Sequence, residues 1–190
     1  MKKLELTKIL FLVAILAGAV AVSSCGKKST KSNLGEELEI PCDGFQTDKV
    51  AFRATGSGIS QDLRTAEDKA LVTARQRLAS GITTTLKSVT DRYTNERTFN
   101  DAAEFEEKFE NLTREVTNQE LNNVATICNK KFQKEGKFNV YVAIEVKKDE
   151  LLQKIEKQIT KDQKLQVDYD KMKFEQIFNE EMGKMEGEQP

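Results

Sequence analysis

The chain has 190 residues, 30 Lys and Arg against 31 Asp and Glu for a formal net charge of −1, three Cys and no His. The charge is well mixed, no basic stretch has the density expected for nucleic-acid binding, and aromatic residues do not alternate with Lys or Arg along any strand, which argues against nucleic acid as a partner. The lack of His excludes serine-histidine-aspartate and cysteine-histidine nucleophiles and the common zinc sites.

Lys2, Lys3 and Lys8 open the chain, and residues 9–22 then run without a charge. This run of 14 apolar residues is short of the roughly 20 that cross a bilayer and fits the apolar region of a secretory signal. Val22-Ser23-Ser24-Cys25 resembles the lipobox of bacterial lipoproteins. That resemblance implies cleavage between Ser24 and Cys25 and a diacylglycerol on Cys25, so residues 1–24 are expected to be a lipoprotein signal peptide. Each buried acyl methylene contributes about 0.8 kcal/mol, and two or more chains anchor stably. Gly26 follows Cys25 where an acidic residue would retain other lipoproteins, which by analogy favours the outer membrane with the domain facing the periplasm.

Residues 25–40 read as the lipidated cysteine and a flexible tether. The polar stretch 26–39 reaches at most about 50 Å extended and roughly 20 Å as a coil. Lys27, Lys28 and Lys31 lie where anionic lipid would attract them, or are simply solvated. Cys42 and Cys128 remain once Cys25 is acylated, and in a disulfide-permissive compartment they are expected to pair; two separate buried thiols are the alternative.

Structure is expected to begin near Pro41. Val50, Phe52 and Ala54 alternate with Ala51, Arg53 and Thr55 as a strand, which Gly56-Ser57-Gly58 is read to end in a tight reversal. From about Ser60 to Val89, apolar residues at steps of three and four, including Ala66, Ala70, Ala74, Leu78 and Ile82, predict a long amphipathic helix. Ser60 or Asp62 is its N-cap, and the alanine strip lets it approach a sheet closely.

Residues 91–100 read as an exposed connection. Ala102, Phe105, Phe109, Leu112 and Val116 predict a second helix over about 101–119. Two strands follow, 124–132 and 138–146, joined as an antiparallel hairpin. Asp149 is expected to cap a final helical region through Leu151, Ile155 and Ile159, continuing with a break to Met182. The apolar far end, Phe174, Ile177, Phe178 and Met182, is expected to fold back on the core; a partner-binding helix is the alternative.

The predicted fold is α+β: an antiparallel three-stranded sheet packed against a long helix and a second helix. Residues 41–150 form the domain and 151–190 a C-terminal helical extension.

Little chemistry is legible. Asp168-Tyr169-Asp170 reads as a charged helix face, since an EF-hand loop would need glycine where Lys173 stands. Glu104, Glu106 and Glu107 read as solvated carboxylates. Gly56-Ser57-Gly58 meets neither the dinucleotide pattern, with Gln61 where a third glycine belongs, nor the P-loop pattern. Backbone amides near Gly56, Ser57, Gly58 and Ser60 at the helix N-terminus remain a candidate weak anion site.

The strand end Ala54-Thr55-Gly56-Ser57-Gly58, then Ser60, Asp62, the alanines at 66, 70 and 74, and Arg75-Gln76-Arg77-Leu78-Ala79 resemble the small-lipoprotein family named LPP-twenty. A related fold occurs in the N-terminal domain of a flagellar-basal-body-associated protein. The resemblance covers roughly residues 48–148, including the strand from Tyr141 to Val146. It implies a compact α/β domain on an outer-membrane lipid anchor, without known catalysis. Phe52 and the long C-terminal helix depart from the pattern.

The expected function is therefore a non-enzymatic, lipid-anchored envelope lipoprotein that binds or scaffolds an envelope protein or cell-wall component. Its contact with the membrane is through the lipid, and neither cofactor, metal nor nucleic acid is expected. The alternative is a periplasmic module binding an anion or small ligand at the glycine turn.

Overall fold

The computed structural model describes residues 38–99 and 101–187. Strand β1 (Ala51–Ser60) is followed by helices α1 (Leu63–Asn95) and α2 (Ala102–Asn122), then by strands β2 (Ala125–Lys134) and β3 (Lys137–Lys147). Three further helices follow among the described residues: α3 (Lys148–Ile159), α4 (Gln163–Asp168) and α5 (Lys171–Gly187). The architecture is α+β, one antiparallel three-stranded sheet with the long helix α1 on one face.

Strand order is β1-β3-β2. β3 is central, hydrogen-bonded to β1 along one edge and to β2 along the other, and its inward residues Val140, Val142, Ile144 and Val146 are all buried. The β2–β3 hairpin closes in two residues, Glu135 and Gly136, both at positive φ (52° and 73°). That backbone matches the right-handed twist of the strands. A bulge between Thr126 and Cys128 shifts the β2 register.

The sequence reading ended β1 at Thr55; the strand instead continues through Ser60, pairing Gly56 with Val142 and Gly58 with Val140. The two glycines lie on the face that carries Phe52 and Ala54, against α1. A Cβ on Gly56 would sit 2.2 Å from the carbonyl oxygen of Ala70, and one on Gly58 2.2 Å from that of Ala66. Ala66, Ala70 and Ala74 are fully buried. The helix therefore packs backbone against backbone on the strand, and glycine is required because no side chain fits.

α1 is capped by Asp62, whose carboxylate accepts from the Thr65 N–H at 2.8 Å. It runs past the expected end at Val89 into the stretch read as an exposed connection. Tyr93 there is completely buried. Its ring meets Phe105 at 5.8 Å and Phe174 at 5.7 Å. Its hydroxyl donates to the Asp168 carbonyl at 3.0 Å and accepts from the Asp170 N–H at 2.6 Å and from Arg97. Asp168-Tyr169-Asp170 is accordingly the joint between α4 and α5 rather than a charged helix face.

β3 passes into α3 without a loop. Lys147, not Asp149, occupies the cap position, and Asp149 and Glu150 lie in the first turn, where carboxylates favour the positive end of the helix dipole.

The C-terminal helices belong to the same core. Phe174, Ile177, Phe178 and Met182 are fully buried, and Phe178 meets Phe52 of β1 edge to face at 6.1 Å. α5 is also clasped by α1: Glu181, 8% exposed, accepts from Arg92 at 2.8 Å and Ser88 at 3.0 Å, and Lys184 closes at 2.5 Å. Burial alone would raise the Glu181 carboxyl, but these three donors outweigh it and hold it down at about 2.

Gly56→Ala and Gly58→Ala should each cost about 3 kcal/mol or more, or prevent folding. Gly81→Ala, in α1 with nothing within 4 Å of the new Cβ, should gain about 0.5–1 kcal/mol. Urea unfolding of the three variants distinguishes a packing glycine from an ordinary one, and equal effects would contradict the close contact.

The Glu181 clasp also sets a pH dependence. A carboxyl lowered to about 2 on folding contributes stability that is complete above the unfolded value of about 4.3 and lost as pH falls through the folded value. The gap in urea midpoint between wild type and Glu181→Gln should be widest near pH 7, narrow below about pH 4.5 and close near pH 2. A gap independent of pH would contradict the clasp.

Candidate functional site

Ser24 and Cys25, the cleavage and lipidation residues, and the Lys residues at 27, 28 and 31 lie outside the described residues. Cys42 and Cys128 are joined as a disulfide across a separation of 86 residues, with Cα atoms 5.8 Å apart. The bridge fastens the Pro41–Gly44 turn to β2 beside its bulge. Cys42 holds a left-handed backbone, φ 67°, a conformation a non-glycine residue adopts at a cost of about 1–2 kcal/mol.

The candidate anion residues occupy a different setting from the one expected. Gly56, Ser57 and Gly58 are strand residues, so there is no glycine turn at the start of α1. Ser60 Oγ accepts from the Asp62 N–H at 3.2 Å. The Asp62 carboxylate takes both the N–H and the hydroxyl of Thr65, at 2.8 and 2.9 Å. Those Thr65 bonds hold its carboxyl below the usual range. A fixed negative group thus fills the helix N-terminus where an anion would bind.

What the same stretch does present is a sheet edge. Among the described residues β1 pairs only with β3, and Lys148 N–H donates to the Val50 carbonyl. N–H and C=O groups of a strand residue point the same way, so even-numbered residues of β1 face β3 and odd-numbered ones face outward. The chain covers the first of these itself. Asp48 bonds both backbone groups of Ala51, and the Thr47 hydroxyl accepts from Arg53 N–H at 2.9 Å and donates to its carbonyl at 3.0 Å. Arg53 in turn pairs with Asp48 at 2.5 Å and with Glu145 at 2.8 Å.

Beyond Arg53 the cover changes from backbone to side chain. Arg77 donates to the Thr55 carbonyl at 3.2 Å and Lys69 to the Ile59 carbonyl at 3.3 Å, both from α1. Ser57 lies between them, exposed. A shallow groove of about 470 Å³ runs beside this edge, with the exposed side chains of Ile59 and Val72 on its walls.

A second groove, also about 470 Å³, lies between α1 and α2 and is lined by Thr83, Thr90, Thr113 and Thr117 with Lys87 and Arg114 at its rim. The hydroxyls of Thr90 and Thr113 donate to carbonyls of their own helices, and the Thr94 hydroxyl also reaches Glu106 at 2.7 Å. These bonds satisfy a polar helix seam. Glu107 is exposed, and Glu104 is engaged by Lys164. Among the described residues no group of three or more His, Cys, Asp or Glu could hold a metal ion, and no helix is long and apolar enough to cross a membrane.

Sequence reasoning missed Lys69, Arg77 and the outward amides of Thr55, Ser57 and Ile59. The available signal was a pair of cations eight residues apart on the flank of the alanine strip. It acquires meaning only once the glycines are placed inside the strand. Comparison with family models, curated proteins and solved structures finds no match to this chain.

The disulfide closes a long loop, so the Cys42→Ala, Cys128→Ala double variant should lose about 2–4 kcal/mol in urea unfolding while keeping its native circular dichroism. Non-reduced peptide mapping should recover the two cysteines on one linked peptide. Free thiols at both positions would contradict the bond.

Proposed function

We propose that the chain is a lipid-anchored lipoprotein of the bacterial outer membrane whose α+β domain is a non-enzymatic binding or scaffolding module in the periplasm. The observation that carries this reading is the order of features in residues 1–26: basic start, uncharged run, two small residues, Cys25 and then Gly26. The Cys42–Cys128 bridge supports it, because disulfides persist in oxidising compartments and are rare in reducing ones. So does the placement of Cys42 just after the polar stretch, where the bridge fastens the start of the folded domain to the sheet.

The LPP-twenty resemblance belongs to the same proposal. Its motif residues fall into a coherent unit, with Gly56 and Gly58 against Ala66, Ala70 and Ala74. The alternative of an anion site at the start of α1 has lost its favouring observation to the Asp62 carboxylate. A partner in the envelope, protein or cell wall, is left to be recognised by the domain's surface.

Metabolic labelling with a palmitate analogue tests the anchor. Wild type should carry the label and fractionate with outer membranes, whereas Cys25→Ala should carry none and become soluble with unchanged thermal unfolding of its domain. An unlabelled wild type, or a Cys25→Ala variant still bound to membranes, would overturn the reading.

A further inference from the structure

We infer that the outward edge of β1 from Thr55 to Ile59 is a docking site for an extended acidic peptide, which adds to the sheet as a fourth strand beside α1. The inference rests on the proposed binding role and names the chemistry of the partner.

The hydrogen-bond inventory of the edge is lopsided. Arg77 and Lys69 already occupy the carbonyls of Thr55 and Ile59. Among the described residues nothing bonds the N–H groups of Thr55, Ser57 and Ile59 or the carbonyl of Ser57. Three donors and one acceptor, bracketed by two cations that bond the edge itself, make a donor-rich seam; the one carboxylate lining the groove, Asp68, bonds no edge group among the described residues. Exposed strand edges are templates for another strand, with main-chain bonds supplying affinity and alternate side chains supplying specificity.

The spacing of the cations defines the ligand further. Lys69 and Arg77 are eight residues apart on α1, about 12 Å along the helix. Residues i and i+4 of a strand are about 13 Å apart and point to the same face. A peptide with carboxylates at i and i+4 would meet both cations, and its residue i+2 would fall near Val72, which lies between them in sequence and is 51% exposed. The fitting pattern is acidic, any, apolar, any, acidic.

A second copy of the chain is a poorer occupant. Pairing two β1 edges would bring two Lys69 and two Arg77 side chains to one seam of about 13 Å, a like-charge arrangement that disfavours the pair. The same cations that shield the edge against self-association can turn from the carbonyls, at 3.2 and 3.3 Å, to stronger charge-assisted bonds with carboxylates.

The test uses the full chain in detergent micelles and a fluorescent, capped nonapeptide. Its central residues are glutamate, threonine, valine, threonine and glutamate, with threonine pairs on either side. Fluorescence anisotropy should show saturable binding that weakens with salt and falls about tenfold or more in a Lys69→Gln, Arg77→Gln double variant. A peptide with lysines in place of the glutamates should not bind. N-methylation at the central valine and its two neighbours should abolish binding without touching the protein, and amide NMR shifts should centre on Thr55, Ser57 and Ile59.

Absence of binding by the acidic peptide, binding indifferent to the two cations or to N-methylation, or shifts centred away from β1 would each overturn the inference. So would a micelle-embedded chain that sediments as a dimer through a protected β1 edge. A chain that takes the palmitate label yet ignores the peptide overturns this inference alone. One that binds the peptide but carries no label overturns the anchor alone.

Discussion

The contact on which the structure depends is the one between the bare backbone of Gly56 and Gly58 and the alanine strip of α1. Because neither side interposes a large side chain, the helix lies against the strand, and its position is fixed by main-chain carbonyls at Ala66 and Ala70. Close packing of this kind forfeits the apolar area that larger side chains would bury. What it provides is rigidity and reach, since Lys69 and Arg77 on the flank of α1 come within bonding distance of the outward carbonyls of β1. The surface at the sheet edge is thus a consequence of the packing beneath it.

The same geometry explains the C-terminal helices. A helix of 33 residues is about 50 Å long, whereas a strand of 10 residues covers about 33 Å. The far end of α1, with Leu86, Val89 and Tyr93 buried, needs cover that the sheet cannot supply. α2 and α5 supply it, through Phe105, Phe109, Phe174 and Phe178. Residues after Lys147 are therefore structural, and the clasp of Glu181 by Arg92, Ser88 and Lys184 joins the end of the chain to the helix it covers.

Much of this was legible in the sequence wherever one periodicity dominates. The three-and-four spacing from Ala66 to Val89 marked α1, the alternation from Phe138 to Val146 marked the central strand, and the apolar spacing from Phe174 to Met182 marked a helix folded onto the core. Three features were hidden for physical reasons. Gly56 and Gly58 read as chain breakers because the usual meaning of glycine is conformational freedom, whereas here it is the absence of a side chain. Tyr93 lay in a stretch of charged and polar residues whose hydroxyl partners, the backbone at Asp168 and Asp170, are some 75 residues away. The paired cations at 69 and 77 looked like any solvated helix flank until the strand they reach was known to extend to Ser60.

The central claim is that residues 56–58 are an edge strand locked under α1, with alternate amides turned to β3 and to solvent. Hydrogen exchange on the free protein, read residue by residue, tests it most directly. Phe52, Ala54, Gly56 and Gly58 should exchange slowly and Thr55, Ser57 and Ile59 quickly, an alternation of period two. Uniformly fast exchange from Gly56 to Ser60 would mean a turn, and would contradict the account at its base.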